Sequence, residues 1–263
     1  MKANLLLALF LAATLVAAHP RILLANKIDK QYRQAVEMFR QGDLEGAACQ
    51  FEEILRAKPK HEEAKIFLGL TYSQLGQDAE RKGDRTRAIA ELREALRLGP
   101  DEAYWHSALA KLLNAQGDPE GAAKECAQAA ELSPEDSALA SGCGLRTSEQ
   151  PEKKDNENQE NEGGAPPEVF KVGGDLSRPM PTYHPAPPYS EKARKVSFQG
   201  TTVLWIVVNA QGTVEQTHIV KALGLGLDQN ALRTVRTWKF KPATRNGVPV
   251  PVRVITEITF RLF

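Results

Sequence analysis

The chain has 263 residues, enough for two modest domains with separate cores, and its net charge of +1 conceals a strong segregation. Residues 176–263 carry twelve Lys/Arg against four Asp/Glu, residues 148–175 carry eight acids against three lysines, and the remainder is close to neutral. Three cysteines (Cys49, Cys126, Cys143) are too few and too scattered for a disulfide scaffold and lack the clustered Cys/His spacing of a zinc site.

A basic end behind an acidic spacer suits an anionic partner or surface, although basic strands are often only solvated faces. In an oxidising compartment Cys126 and Cys143 pair and leave Cys49 free; the alternative is three buried thiols acting as small apolar residues.

At the N-terminus Lys2 precedes an apolar run from Leu5 to Ala18, and Val16-Ala17-Ala18 supplies small residues for cleavage just before His19-Pro20. The run is shorter than the ~20 residues that cross a bilayer. Residues 1–18 are expected to be a signal peptide that delivers the chain to the periplasm. The alternative is an uncleaved inner-membrane anchor with the rest of the chain facing the periplasm.

Internal repeats follow. Gly83-Asp84, Ala88, Leu92, Ala95 and Pro100 recur 34 residues later as Gly117-Asp118, Ala122, Cys126, Ala129 and Pro134. An earlier copy has Gly42-Asp43, Ala47, Phe51, Ile54 and Pro59, 41 residues before the second; the excess of seven fits two extra helical turns between Gly76 and Gly83. Each copy reads as helix, Gly-Asp turn, helix. Alanine at the crossing lets the helices approach and proline ends the second one. Such a pair cannot bury its apolar face alone, so neighbouring copies stack. Three copies and a short cap, Glu135 to Gly142, are expected within residues 25–147.

From 148 to 180 the composition changes. "SEQPEKKDNENQENEGGAPPE" has no periodicity and almost no large apolar residues, and "RPMPTYHPAPP" follows. The segment is expected to be a disordered acidic, then proline-rich linker.

Residues 181–263 read as α+β. Tyr189 to Val196 makes a short helix. "TTVLWIVVN" from Thr201 to Asn209 is apolar and β-branched throughout, as for a strand buried on both faces. A turn through Gly212 leads into a second strand, Thr213 to Lys221. Asp228 is placed to cap a helix running through Thr237, with Leu227, Ala231, Val235 and Trp238 on one stripe. Asn246-Gly247 is a hairpin turn. The last strand alternates, with Val252, Val254, Ile258, Phe260 and Leu262 on one face and Arg253, Glu257 and Arg261 on the other.

The repeat spacing, with Leu68-Gly69, Tyr72, Gly83, Ala88, Ala95 and Pro100, resembles the tetratricopeptide repeat (TPR). The C-terminal part resembles the C-terminal domain of TonB-family proteins. It shows Tyr189 and Ala193, Gln199-Gly200, the turn from Asn209 to Gly212, Leu227-Asp228, Ala231-Leu232, Trp238-Lys-Phe-Lys-Pro-Ala243 and Gly247-Val-Pro-Val250 at the family's spacing. Ser190 stands where that family usually has proline. The resemblance implies a multidomain protein, an all-α TPR solenoid followed by a small α+β domain with an antiparallel sheet.

It also implies sites. TonB domains bind short extended peptides of outer-membrane transporters along a sheet edge by strand addition. Here that edge is the last strand, with Val252, Arg253, Val254, Ile255, Thr256 and Glu257 in contact. First helices of TPR pairs line a groove, which maps to Tyr32, Val36, Phe39, Ile66, Leu70, Tyr104, Lys111 and Asn114. The alternative is that these side chains pack against the long helix of the second copy.

No enzyme and no cofactor are expected. The five histidines (His19, His61, His106, His184, His218) lack metal-ligand spacing, and no GxSxG or Walker motif occurs. The reading is therefore an exported, non-enzymatic adaptor. Its partners are proteins or extended peptides, outer-membrane transporters among them, without nucleic acid or a small-molecule substrate. Two others stand beside it: an energy transducer that retains its anchor, and an envelope protein whose basic end rests on anionic cell-wall polymer.

Overall fold

The computed structural model describes residues 27–140, 143, 170–171 and 176–262. The expected signal peptide and most of the expected linker lie outside them. The chain divides into two compact units, one ending at Gly99 and one running from Pro100 to the C-terminus.

The first unit contains α1 (residues 27–41), α2 (Leu44–Ala57), α3 (Glu62–Arg81) and α4 (Arg85–Leu98). The second opens with α5 (Ala103–Gln116), α6 (Pro119–Leu132) and the short α7 (Ser137–Ala140). Each helix pair turns in the same way. A glycine with positive φ ends the first helix, Gly42 at 83°, Gly83 at 80° and Gly117 at 91°, a conformation without steric cost for a residue lacking Cβ. The aspartate that follows caps the next helix. Asp43 accepts from the Gly46 amide at 3.1 Å, Asp84 from Arg87 at 3.0 Å and Asp118 from Gly121 at 2.8 Å. The recurring Gly-Asp pair is thus a C-cap joined to an N-cap. Helices α2, α4 and α6 stop two residues before Pro59, Pro100 and Pro134, as the proline ring requires. The lengthened second copy appears as α3, which has 20 residues where α2, α4, α5 and α6 have 14.

Aromatic packing fills the first unit. Phe51 stacks on Phe67 at 5.6 Å, and Phe39 meets Phe67 edge-on at 5.4 Å. In the second unit Ala103, Ala110, Cys126, Ala129, Leu139 and Cys143 form a core under Tyr104 and Leu132. Cys126 and Cys143 are disulfide-bonded, and Cys49 is free and exposed. Of the two expectations for the cysteines, pairing is the one realised.

Beyond the helices lie β1 (Phe170–Lys171), β2 (Met180–Tyr183), α8 (Glu191–Lys195), β3 (Gly200–Val208), β4 (Val214–Lys221), α9 (Leu227–Val235), β5 (Lys239–Lys241), β6 (Thr244–Arg245), β7 (Val248–Pro249) and β8 (Val252–Phe260). The main sheet has the order β1-β8-β3-β4, antiparallel except for β1, and β2-β5 and β6-β7 are two-stranded ribbons. Leu204, Ile206, Leu227, Ala231, Leu232, Val235, Val252, Ile258 and Phe260 are buried in this part. The β6–β7 hairpin turns through Asn246 and Gly247, both at positive φ.

Three expectations need correction. β3 is buried on its second face only near its end: Val203 and Trp205 are half-buried between buried Thr202, Leu204 and Ile206, while Val207 is buried. The physical reason is that an antiparallel sheet can leave one face open. Asp228 does not cap α9, whose N-cap is Gly226 without a side-chain bond. The carboxylate turns back and accepts from the amides of Leu223 and Gly224, fixing the loop before the helix.

The linker expected through residue 180 stops short of it. Phe170–Lys171 pairs with β8, Leu176 bridges Arg245, and Met180 opens β2 against β5. Low apolar content hid these pairings because they are made by backbone groups.

The Trp-Lys-Phe-Lys-Pro run has a definite role here. Lys239 and Lys241 are exposed as expected, while Trp238 and Phe240 are half-buried. The Trp238 indole N–H donates to the Pro185 carbonyl at 3.0 Å, and β5 pairs with β2. The motif therefore clamps the proline-rich segment onto the fold. It also receives the β3–β4 turn: the Phe240 amide donates to the Gly212 carbonyl at 2.8 Å. A Cβ on Gly212 would lie 1.9 Å from the Phe240 carbonyl oxygen, so only glycine fits.

Candidate functional site

β8 is fixed along its whole length on one side. It pairs antiparallel with β3 from Val208↔Val252 to Gly200↔Phe260. On its other side β1 runs parallel to it and covers two positions, Phe170↔Val252 and Lys171↔Arg253. Among the described residues no strand pairs with the outer side of β8 beyond Arg253. Of the six residues expected to meet a peptide, Val252 and Arg253 are thus already beside a strand of the same chain. Val254, Ile255, Thr256 and Glu257 have no strand alongside them among the described residues.

The side chains along that edge alternate. Val254 and Thr256 are half-buried on the inner face, while Arg253, Ile255 and Glu257 are exposed, Ile255 at 72%. Ile255 lies opposite Trp205 on β3, and the Arg253 guanidinium sits over the Trp205 ring at 4.6 Å. A strand added here would lay alternate side chains beside this apolar and charged face.

The opposite edge of the sheet is closed. On β4 the Thr217 amide donates to the Ser137 hydroxyl at 3.3 Å, and the Thr217 hydroxyl donates to the Glu135 carbonyl at 2.7 Å. The Ile219 amide donates to the Asp136 carboxylate at 3.0 Å. Asp136 has no exposed surface, and its two oxygens also take bonds from the amides of Ala138 and Leu139, from the Tyr104 hydroxyl and from His218 Nδ1 at 2.9 Å. Burial alone would raise this carboxyl; the bonds from His218 and the Ile219 amide outweigh burial and hold it below the usual carboxylate range. Nearby, buried Glu102 accepts from the Leu225 amide at 3.0 Å and pairs with Lys192. Burial pushes its carboxyl up against the pull of that lysine.

Asp228 behaves differently, because burial pushes its carboxyl up to about 6 despite the two backbone amides that face it. A raised value means that the folded state binds a proton more tightly than the unfolded chain. Stability should therefore rise as pH falls from about 7 towards the ordinary aspartate value near 4. Urea midpoints measured across that range should show this slope, and Asp228→Asn should flatten it.

The expected TPR groove is mostly interior. Val36, Phe39 and Leu70 are buried. Tyr32 is half-buried among Phe51, His61 and Phe67, its hydroxyl pushed up to about 12 by burial. Ile66 is half-buried as well. Tyr104 is committed to Asp136 and its own core, while Lys111 and Asn114 are exposed. The apolar members thus serve packing in their own units, because α1 is held against the aromatic face of α3. Phe39→Ala is expected to cost about 3–5 kcal/mol of stability, read from urea unfolding, rather than to leave a folded protein with weakened binding.

Sequence reasoning missed Asp136. Its place before a short helix marks an N-cap, but nothing local signals that the same carboxylate reaches β4. Ser190 is explained by the structure: its hydroxyl accepts from the Ala193 amide at 3.1 Å, capping α8, and donates to the Leu225 carbonyl at 2.5 Å. Proline offers neither bond.

A small α+β domain and helix pairs with a 34-residue period give the chain a TonB C-terminal-type domain and tetratricopeptide repeats. Residues 185–262 match the family described as Gram-negative bacterial TonB protein C-terminal, and residues 73–137 match the tetratricopeptide repeat. Protein TonB of Vibrio cholerae is 38% identical over 77 residues, which are 29% of this chain and 32% of that protein. Protein tonB2 of Pseudomonas aeruginosa is 33% identical over 81 residues, 30% of each. The chain thus spans about a third of the length of these curated relatives. Among solved structures, an O-GlcNAc transferase of Thermobaculum terrenum is 29% identical at a TM-score of 0.30, covering 45% of this chain and 22% of that one. No helix of the described residues is long and apolar enough to cross a membrane.

Proposed function

We propose that this chain is an exported, non-enzymatic adaptor of the bacterial periplasm whose TonB-type domain takes up an extended peptide on β8, while its helix pairs hold a second protein. The observation that carries this reading is the asymmetry of the sheet. The β4 edge is closed by Asp136 and Ser137, whereas among the described residues no strand covers the β8 edge from Val254 onward. An uncovered edge presents unpaired backbone donors and acceptors, the template for strand addition. By similarity to the TonB C-terminal relatives, an outer-membrane transporter segment is the favoured peptide. Residues 1–18 act as the export signal, so N-terminal sequencing of the mature chain should begin near His19, and recovery of intact Met1 would contradict export by cleavage.

The binding mode is testable with chemistry alone. A strand added to one edge uses every second peptide amide. N-methylation of alternate residues in a transporter-derived extended peptide should abolish binding in one parity and spare it in the other. Equal tolerance of both parities would contradict edge pairing.

A further inference from the structure

We infer that the cap after the third helix pair, residues 135–140, is a built-in guard of the β4 edge, which confines strand addition to β8 and keeps the sheet from pairing with a second copy of the chain through β4. This rests on the strand-addition reading above and adds to it the control of which edge is available. β4 is the terminal strand of the main sheet, and such a strand normally offers its outward amides to any passing strand. Here the amides of Thr217 and Ile219 are taken by Ser137 and Asp136, and Thr213 at the start of the strand is bridged by Lys239 of β5.

The guard is built rather than incidental. Asp136 is fully buried and saturated by five donors from α5, α7 and β4. The segment carrying it is fixed to its own helix pair, since Cys143 just beyond α7 is bonded to Cys126 on α6. Further along the same face Glu135 offers its carbonyl to Thr217 and Arg236, and Glu102 holds the Leu225 amide. Oδ1 takes the amides of Ala138 and Leu139 in α7, while Oδ2 takes the Ile219 amide of β4. A carboxylate has two oxygens, so it caps α7 and a sheet edge together.

The test uses the full chain and two readouts. In the wild type, hydrogen exchange at Thr217 and Ile219 should be slowed at least 10-fold relative to exposed amides. In Asp136→Ala/Ser137→Ala that protection should be lost, and light scattering should show dimers or peptide titration should show a second equivalent bound. Fast exchange of both amides in the wild type overturns the guard whether or not the variant folds. A folded variant that remains monomeric with one peptide site overturns it as well. Failure of strand addition itself is read separately: the wild-type peptide would then leave the β8 amides unshifted, while the exchange measurement still reports on β4.

Discussion

Phe260→Ala should lower the stability of the sheet-containing unit by about 3–5 kcal/mol, seen as a fall in the urea midpoint. Phe260 is 3% exposed, pairs with Gly200 at the end of β3 and meets the Tyr189 ring edge-on at 5.8 Å. Tyr189 in turn ties the start of α8 to the loop that leads into β3, its hydroxyl donating to the Phe198 carbonyl. The cavity left by the ring lies where a helix, a loop and the last strand converge, so little can move in to fill it. A loss below about 1 kcal/mol, the range of a tolerant site, would mean that the inner face of β8 is not core.

Asp136→Ala is the second large effect. Each buried donor left without a partner costs about 1–3 kcal/mol, and the amides of Leu139 and Ile219 are both buried. A loss of about 3 kcal/mol or more is expected, read as unfolding at lower urea together with faster exchange at β4. The pH dependence carries a definite sign. A carboxyl held below its ordinary value contributes stability that is present above about pH 4 and lost as pH falls further. The wild type should lose this contribution in acid and the variant should have none to lose. Parallel acid profiles for the two proteins would contradict the assignment.

The sequence carried the repeats well because their signals are local. Gly83 and Asp84 lie side by side, so one turn of chain states both the C-cap and the N-cap, and Pro100 states the stop. The alternation of β8 was legible for the same reason, since Val252, Ile258 and Phe260 on one face and Arg253 and Glu257 on the other record which side meets the core. What stayed hidden depends on residues far apart in the chain. Asp136 reads as a capping residue and only the fold brings it to Ile219, 83 residues away. Asp228 reads as a cap for the helix after it and instead serves the loop before it. The proline-rich stretch reads as a linker because its apolar content is low, yet Met180 to Tyr183 is held by backbone pairing to β5 and by the Trp238 indole on Pro185. The groove residues were ambiguous for another reason. Tyr32 and Phe39 on α1 fall at positions that face a ligand in a repeat array, but the same pattern describes a face packed against a longer neighbour, and Phe67 of α3 meets both rings.

The edge of β8 is the centre of the account, and backbone amide NMR of the full chain during titration with a transporter-derived extended peptide tests it most directly. Strand addition predicts shifts concentrated in Val252–Phe260, strongest from Val254 onward where no described strand lies alongside, with Thr217 and Ile219 unmoved. Shifts confined to Tyr189, to the Trp205 indole, or to the exposed lysines around Lys239 and Lys241 would contradict it and assign the interaction to surface charge.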